Sequence, residues 1–244
     1  MQEALEPTIP PPPTGVPWRG RDLFYTLVGG LLLSVLLVIV VGIVAFSSDG
    51  GEPTYAHYGQ FGIAIYVALG LAGWYFAIKR RGASIREAGF RSVSIGTLFK
   101  MIPITFGMMI LNGILISISA ALFGDVPTAQ DQVVGDATSI PLDEFVWLFA
   151  LAAVVAPVAE EFLFRGLLYP LLRDKAKVAF AVAVSALAFA LLHFIPPLIP
   201  VFLAMGVVFA LVVERYKSVY PAMLVHGLNN GVVMVGLYAA IGSG

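Results

Sequence analysis

The sequence predicts an all-α fold, a polytopic transmembrane bundle of about seven membrane helices with a buried polar site among the C-terminal helices. Three observations predict it. The 244 residues are 59% hydrophobic and only 12% charged, whereas a soluble domain averages about 45–50% apolar and about 25% charged. Uncharged apolar stretches recur along the chain, and a helix needs about 20 such residues to cross a hydrocarbon core of about 30 Å. The Lys and Arg residues, finally, cluster at or near every second connection between those stretches. No stretch shows the strict alternation of a membrane barrel strand. A formal charge of −1 supplies no basic excess for nucleic acid, so the expected surroundings are membrane lipid and not a nucleic acid. The chain has no cysteine, which excludes disulfides, thiolate metal sites and cysteine nucleophiles.

Residues 1–23 contain Pro7, Pro10, Pro11, Pro12, Pro13 and Pro17. Such a run favours extended polyproline II and cannot build a core. It reads as a mobile cytoplasmic tail ahead of one transmembrane helical domain, 24–244. The expected spans are Phe24–Phe46, Phe61–Ile78, Met101–Phe123, Phe145–Leu168, Val178–Ile195, Leu198–Val213 and Val219–Ile241. With the N-terminus inside, all 14 Lys and Arg lie at or near inner connections. The opposite connections hold Asp49, Glu52, Asp125, Asp131, Asp136, Asp143 and Glu144 and no basic residue. By the positive-inside rule this is an integral multi-pass protein, N-terminus cytoplasmic and C-terminus outside. The basic stretch Gly82–Lys100, mixed with Ile85, Phe90, Val93 and Leu98, is expected to lie along the inner headgroups.

Ionisable groups inside a membrane cost about 2.5–3.5 kcal/mol each on insertion scales. Among the expected spans only three carry any: the fourth has Glu160, Glu161 and Arg165, the fifth His193, and the last His226, followed by Asn229 and Asn230. Concentrated polarity of this kind marks a site. Glu161 and Arg165 are four apart, share a helix face and can pair. Glu160 points about 100° away and is left as a carboxylate without a built-in counter-ion, the condition for a general base. His226 and Asn230 also share a face. An imidazole beside a carboxamide offers two donors to an oxyanion. Phe189 and His193 repeat the spacing, so the phenyl ring can wedge the imidazole. Together these parts suit peptide-bond hydrolysis by water with no protein nucleophile. Asn112, Ser117 and Ser119 are expected to make local backbone bonds, and Asn229 to be packing.

The string Glu160-Glu161-Phe162-Leu163-Phe164-Arg165 resembles an EExxxR motif. Phe189-Ala190-Leu191-Leu192-His193 resembles FxxxH, and His226-Gly227-Leu228-Asn229-Asn230 resembles HxxxN. Three in order, each on an expected membrane helix, look like the CPBP family of intramembrane proteases: type II CAAX prenyl endopeptidases, bacteriocin-processing and abortive-infection proteins. The matching region is 160–230. The resemblance implies an intramembrane endopeptidase acting on a membrane-associated protein or peptide, a prenylated CAAX-type substrate being one candidate. It implies that Glu160 and His193 activate the water and that His226 and Asn230 stabilise the oxyanion. Glu161 and Arg165 would form the supporting pair.

No cofactor is required by that chemistry. Zinc stays open, because Glu160, His193 and His226 are a two-histidine, one-carboxylate set of the kind that binds catalytic zinc. Two other functions compete: a non-catalytic immunity or partner-binding member of the same family, and, with less support, a proton-coupled transporter. Transporters often carry duplicated halves, and here the polar residues gather in one half. One geometric strain accompanies the reading. His226 lies only seven residues past Val219, near the inner end of its span, so straight, fully crossing helices cannot bring it level with Glu160.

Overall fold

The computed structural model describes residues 15–48 and 53–242. It is 79% helix and has no strand among those residues. Seven helices form the bundle: α1 (Gly20–Ser48), α2 (Tyr55–Arg81), α3 (Ile95–Phe123), α4 (Leu142–Arg173), α5 (Val178–Leu191), α6 (Pro196–Tyr216) and α7 (Tyr220–Ile241). Six are long and apolar enough to cross a membrane. The exception is α5, whose 14 residues rise only about 21 Å at 1.5 Å per residue. The protein is thus an integral multi-pass membrane protein, with a short fifth helix where the sequence predicts a full span.

The two ends of the bundle differ in charge, as the alternation of connections requires. The basic end gathers the start of α1, the ends of α2, α4 and α6, and the starts of α3, α5 and α7. Ion pairs tie it together: Arg81 to Asp22 at 2.6 Å, and Arg173 and Lys217 to Glu214 at 3.5 and 3.0 Å. The acidic end is held by neutral and acidic groups. There Glu144 accepts from the Tyr55 amide at 2.7 Å, and the Phe145 ring stacks on Tyr238 at 4.3 Å. A one-turn helix, Ala129–Val133, lies in the connection between α3 and α4 at this end and carries a Thr128–Asp131 capping box. Hydrogen bonds from the Thr128 backbone and hydroxyl hold the exposed Asp131 carboxyl below its ordinary pKa.

One connection departs from expectation. The Gly82–Lys100 stretch does not simply lie along the headgroups. Its first part turns into the bundle beneath α7, with Ala88 fully buried and the Phe90 ring between Phe162 and Tyr220. The Val219 amide donates to Gly89 O at 2.9 Å, and Ala88 O lies against Gly166. The inner end of α7 is therefore held level with Gly166 and not with Arg173. This removes the depth mismatch between His226 and Glu160, because the wedge raises α7 by roughly one to two turns. Of the expected tail, residues 1–14 lie outside the described residues; α1 begins at Gly20, and Trp18 is buried with its indole N–H donating to Leu167 O at 2.9 Å. Burial of so large an apolar ring together with a satisfied indole donor outweighs the local extended preference of the prolines.

Candidate active site

Glu160 and Glu161 close a six-residue α-helical piece of α4, Ala156–Glu161, enclosed by two π-helical turns, Leu151–Val155 and Phe162–Leu168. In the first of these turns the Ala156 amide donates to Leu151 O. The next carbonyl, Ala152 O, thus faces Pro157, which has no N–H. Asn230 Nδ2 fills that place, donating to Ala152 O at 2.9 Å. Close approach of α7 makes this possible: a Cβ on Gly227 would stand 2.6 Å from Ala153 O. The amide of Asn230 is therefore committed first to holding α7 on α4, and one N–H is left for other use.

Behind α4 lies a closed cluster. Arg165 is fully buried and pairs with Glu161 Oε1 at 3.1 Å, while a second guanidinium nitrogen donates to Gly206 O at 3.0 Å. The guanidinium sits 4.6 Å from the Phe189 ring centroid, 5.2 Å from Phe209 and 5.6 Å from Phe164, within the range of cation–π attraction. Gly206 is required here, since any Cβ would meet Ala186 of α5 at under 3 Å. Glu161 Oε2 and Arg165 Nε have no partner among the described residues.

His226 connects this cluster to Glu160. Its Nδ1 lies 3.1 Å from Glu161 Oε1. A carboxylate paired with arginine has no proton to give, so Nδ1–H is the donor. The other nitrogen, Nε2, faces Glu160 Oε2 at 3.7 Å, beyond direct hydrogen-bond range. The ring stacks on Phe209 at 4.6 Å, which fixes its plane. From the other side, Tyr66 of α2 donates its hydroxyl to Glu160 Oε1 at 2.5 Å.

His193 sits at the C-terminal end of α5. Its Nδ1 bonds Phe189 O at 2.8 Å, and because a carbonyl only accepts, that nitrogen carries the proton. The ring is edge-on to Phe189 at 4.7 Å, as the spacing predicts, and stacks on Phe202 at 3.8 Å. Asn112 of α3 donates to Asn229 Oδ1 at 3.4 Å, and Asn229 Nδ2 donates to Asn230 Oδ1 at 3.1 Å. The three amides form a string across α3, α7 and α4. Asn112 thus departs from the local backbone bond expected of it.

Glu160, His193, His226, Asn229, Asn230, Asn112 and Tyr66 all line one cavity of about 700 Å³. A larger hollow of about 1000 Å³, on another face of α7, is lined by no carboxylate or imidazole, so the candidate chemistry belongs to the smaller one. Of the residues the sequence singles out, Glu160, His193, His226 and Asn230 meet at this cavity, while Glu161, Arg165 and Phe189 stand behind it. Tyr66 was missed. Its one sequence signal is position: a phenol in the interior of α2, away from the interfaces where tyrosine ordinarily gathers. Among the described residues no three His, Asp or Glu side chains are grouped so as to hold a metal ion. His226 and His193 each bond through Nδ1, to Glu161 and to Phe189 O, which leaves Nε2 open on both rings; no step is assigned to a metal.

Fold and cavity define a helical membrane protein with a carboxylate–imidazole–amide site inside the bundle. Residues 142–232 match the family model "Type II CAAX prenyl endopeptidase Rce1-like". The chain is 36% identical over 89 residues to the membrane-embedded CAAX protease MroQ of Staphylococcus aureus (strain USA300), covering 34% of this chain and 36% of the relative. It is 26% identical over 88 residues to the "Putative membrane peptidase YdiL" of Bacillus subtilis (strain 168), covering 36% of each. The chain spans about a third of the length of these curated relatives. No solved structure matches it.

Proposed function

We propose that this protein is an intramembrane endopeptidase that hydrolyses a peptide bond of a membrane-associated polypeptide. The observation that carries the reading is the setting of Glu160. One carboxylate oxygen accepts from Tyr66, and the other faces an imidazole nitrogen at 3.7 Å, inside a cavity lined by a second imidazole and amides. The family match and the relatives' names supply independent support.

In this reading Glu160 takes a proton from the water that attacks the substrate carbonyl. Tyr66 positions the carboxylate by holding its other oxygen. His226 is oriented by Glu161, which holds its Nδ1–H and leaves Nε2 turned toward Glu160. His193, with Nδ1–H fixed by Phe189 O, keeps Nε2 free as an acceptor for the same water or a donor once protonated. Asn230 retains one N–H for the developing oxyanion. The proton held by Glu160 then passes to the leaving amine. A prenylated CAAX-type peptide is one candidate substrate. The orientation we propose places the N-terminus and the basic end in the cytoplasm, because 13 of the 14 Lys and Arg sit at that end and the other, Arg165, is in the buried pair.

The test compares membranes expressing wild-type protein with membranes expressing Glu160→Gln, by mass spectrometry of newly formed protein N-termini. The expected outcome is a set of termini present only with wild type. Identical sets would refute the protease reading and leave the non-catalytic alternative.

A further inference from the structure

The cavity has a direction. On every helix that lines it, the lining residues lie at mid-depth or toward the acidic end. On α3 they start at Met109 and run on to Ile116; on α6 they occupy the first half, up to Met205; on α7 they begin at His226 and continue to Met234. The wall is completed at the acidic end by the connection Val126–Val133. The short α5 is the reason. It stops at Leu191, and the turn to α6 is made at the depth of the site, so volume that a full helix would fill is left between α3, α4 and α7.

The opposite direction is closed. Immediately below Glu160 stand the Glu161–Arg165 pair and its three phenyl rings. Below these lie the buried Ala88 wedge, Trp18 on Leu167 O, and the Tyr169–Glu214 bond at 2.9 Å. None of the residues 79–100, 165–178 or 214–221 lines the cavity.

We infer that the site takes its substrate from the non-cytoplasmic side, past the Val126–Val133 connection, and that the substrate is the outer portion of an exported or membrane-inserted polypeptide. The inference rests on the hydrolase and orientation readings above. A lipidated C-terminus presented at the cytoplasmic surface would meet the closed end. The cavity walls are largely apolar, with Met109, Ile116, Val126, Val133 and Phe202 around the polar floor, which suits an extended apolar segment whose scissile carbonyl reaches Glu160. Acid residues flank the entrance at Asp125, Asp131 and Asp136, all exposed.

Because the full chain has no cysteine, single introduced thiols report access directly. Gly113→Cys places a thiol in the cavity wall, where a Cβ meets nothing within 4 Å. Gln132→Cys marks the entrance and Ser92→Cys the basic end. Each is treated with a small membrane-impermeant methanethiosulfonate, in right-side-out spheroplasts and in inverted vesicles. Gly113→Cys and Gln132→Cys should react at least tenfold faster from the outer side, and Ser92→Cys at least tenfold faster in inverted vesicles. Reaction of Gly113→Cys from the inner side, no reaction of it from either side, or a reversed Gln132/Ser92 pair each overturns the inference. In a second arm, a bulky impermeant maleimide on Gln132→Cys, applied from outside, should lower formation of the Glu160-dependent termini at least tenfold relative to the untreated variant. Unchanged cleavage overturns the inference. Failure of the hydrolase reading shows separately, as the absence of such termini from untreated wild-type protein.

Discussion

Glu160 and Glu161 are consecutive residues on one helical turn, and their surroundings divide the molecule's polar interior into two regions. Around Glu161 the groups face one another: a buried guanidinium at 3.1 Å, an imidazole N–H at 3.1 Å, and a wall of phenyl rings. Around Glu160 they face a cavity, and its contacts are a phenol hydroxyl and a histidine nitrogen kept out of direct bonding range. The first region stores no reactivity because its charges neutralise each other. The second leaves a carboxylate with no cation paired to it at the wall of a cavity. A 100° step around one helix is enough to separate a structural ion pair from a candidate base.

Substitutions can break that contrast, and the largest effect belongs on the open side. Glu160→Gln keeps shape and the possibility of a bond to Tyr66 but removes the base. Cleavage should fall by about 10³-fold, within the range of general-base contributions, while the thermal melting of the detergent-solubilised protein stays within a degree or two. The closed side should answer in the opposite currency. Arg165→Met strands the Glu161 charge and should cost about 3–5 kcal/mol of stability, read as a large drop in melting temperature. The double variant Glu161→Gln with Arg165→Met should recover much of it, because no lone charge remains. If the single and double variants melt alike, the pair is not the source of the stability. Tyr66→Phe sharpens the comparison: loss of one bond to a charged group, about 1.5–3 kcal/mol, should lower kcat at least tenfold with little change in KM, and lower melting by no more than that bond is worth. The smallest effect is expected from Asn230→Ala, which frees Ala152 O and should lower stability by about 1–2 kcal/mol, measured in the Glu160→Gln background so that activity does not enter.

Much of this arrangement was legible before any coordinates, and for identifiable reasons. Charge segregation reports topology because the cost of moving a basic loop across a membrane acts on sequence directly. The clustering of Glu160, His193 and His226 on apolar helices was equally visible, since isolated buried polar groups are expensive. Tyr66 was not visible, because a single phenol in an apolar helix has no partner at i±3 or i±4 and its function is supplied by a helix 94 residues away. Nor could the inward fold of Ala88 and Phe90 be read: an amphipathic basic stretch has the same pattern whether its apolar residues meet lipid or the underside of α7. The π-helical turns escaped for a related reason. They depend on tertiary donors, Asn230 for Ala152 O and Trp18 for Leu167 O, that no local window contains.

The truncated α5 has a mechanical consequence for the surrounding bilayer. Its turn exposes Leu191, Leu192 and Phe194, the last 82% exposed and in a left-handed backbone conformation at φ 54°. Where lipid meets that turn, hydrophobic mismatch costs fractions of a kcal/mol per ångström, so the melting of the protein in reconstituted vesicles should depend on acyl-chain length more steeply than six full spans alone would make it.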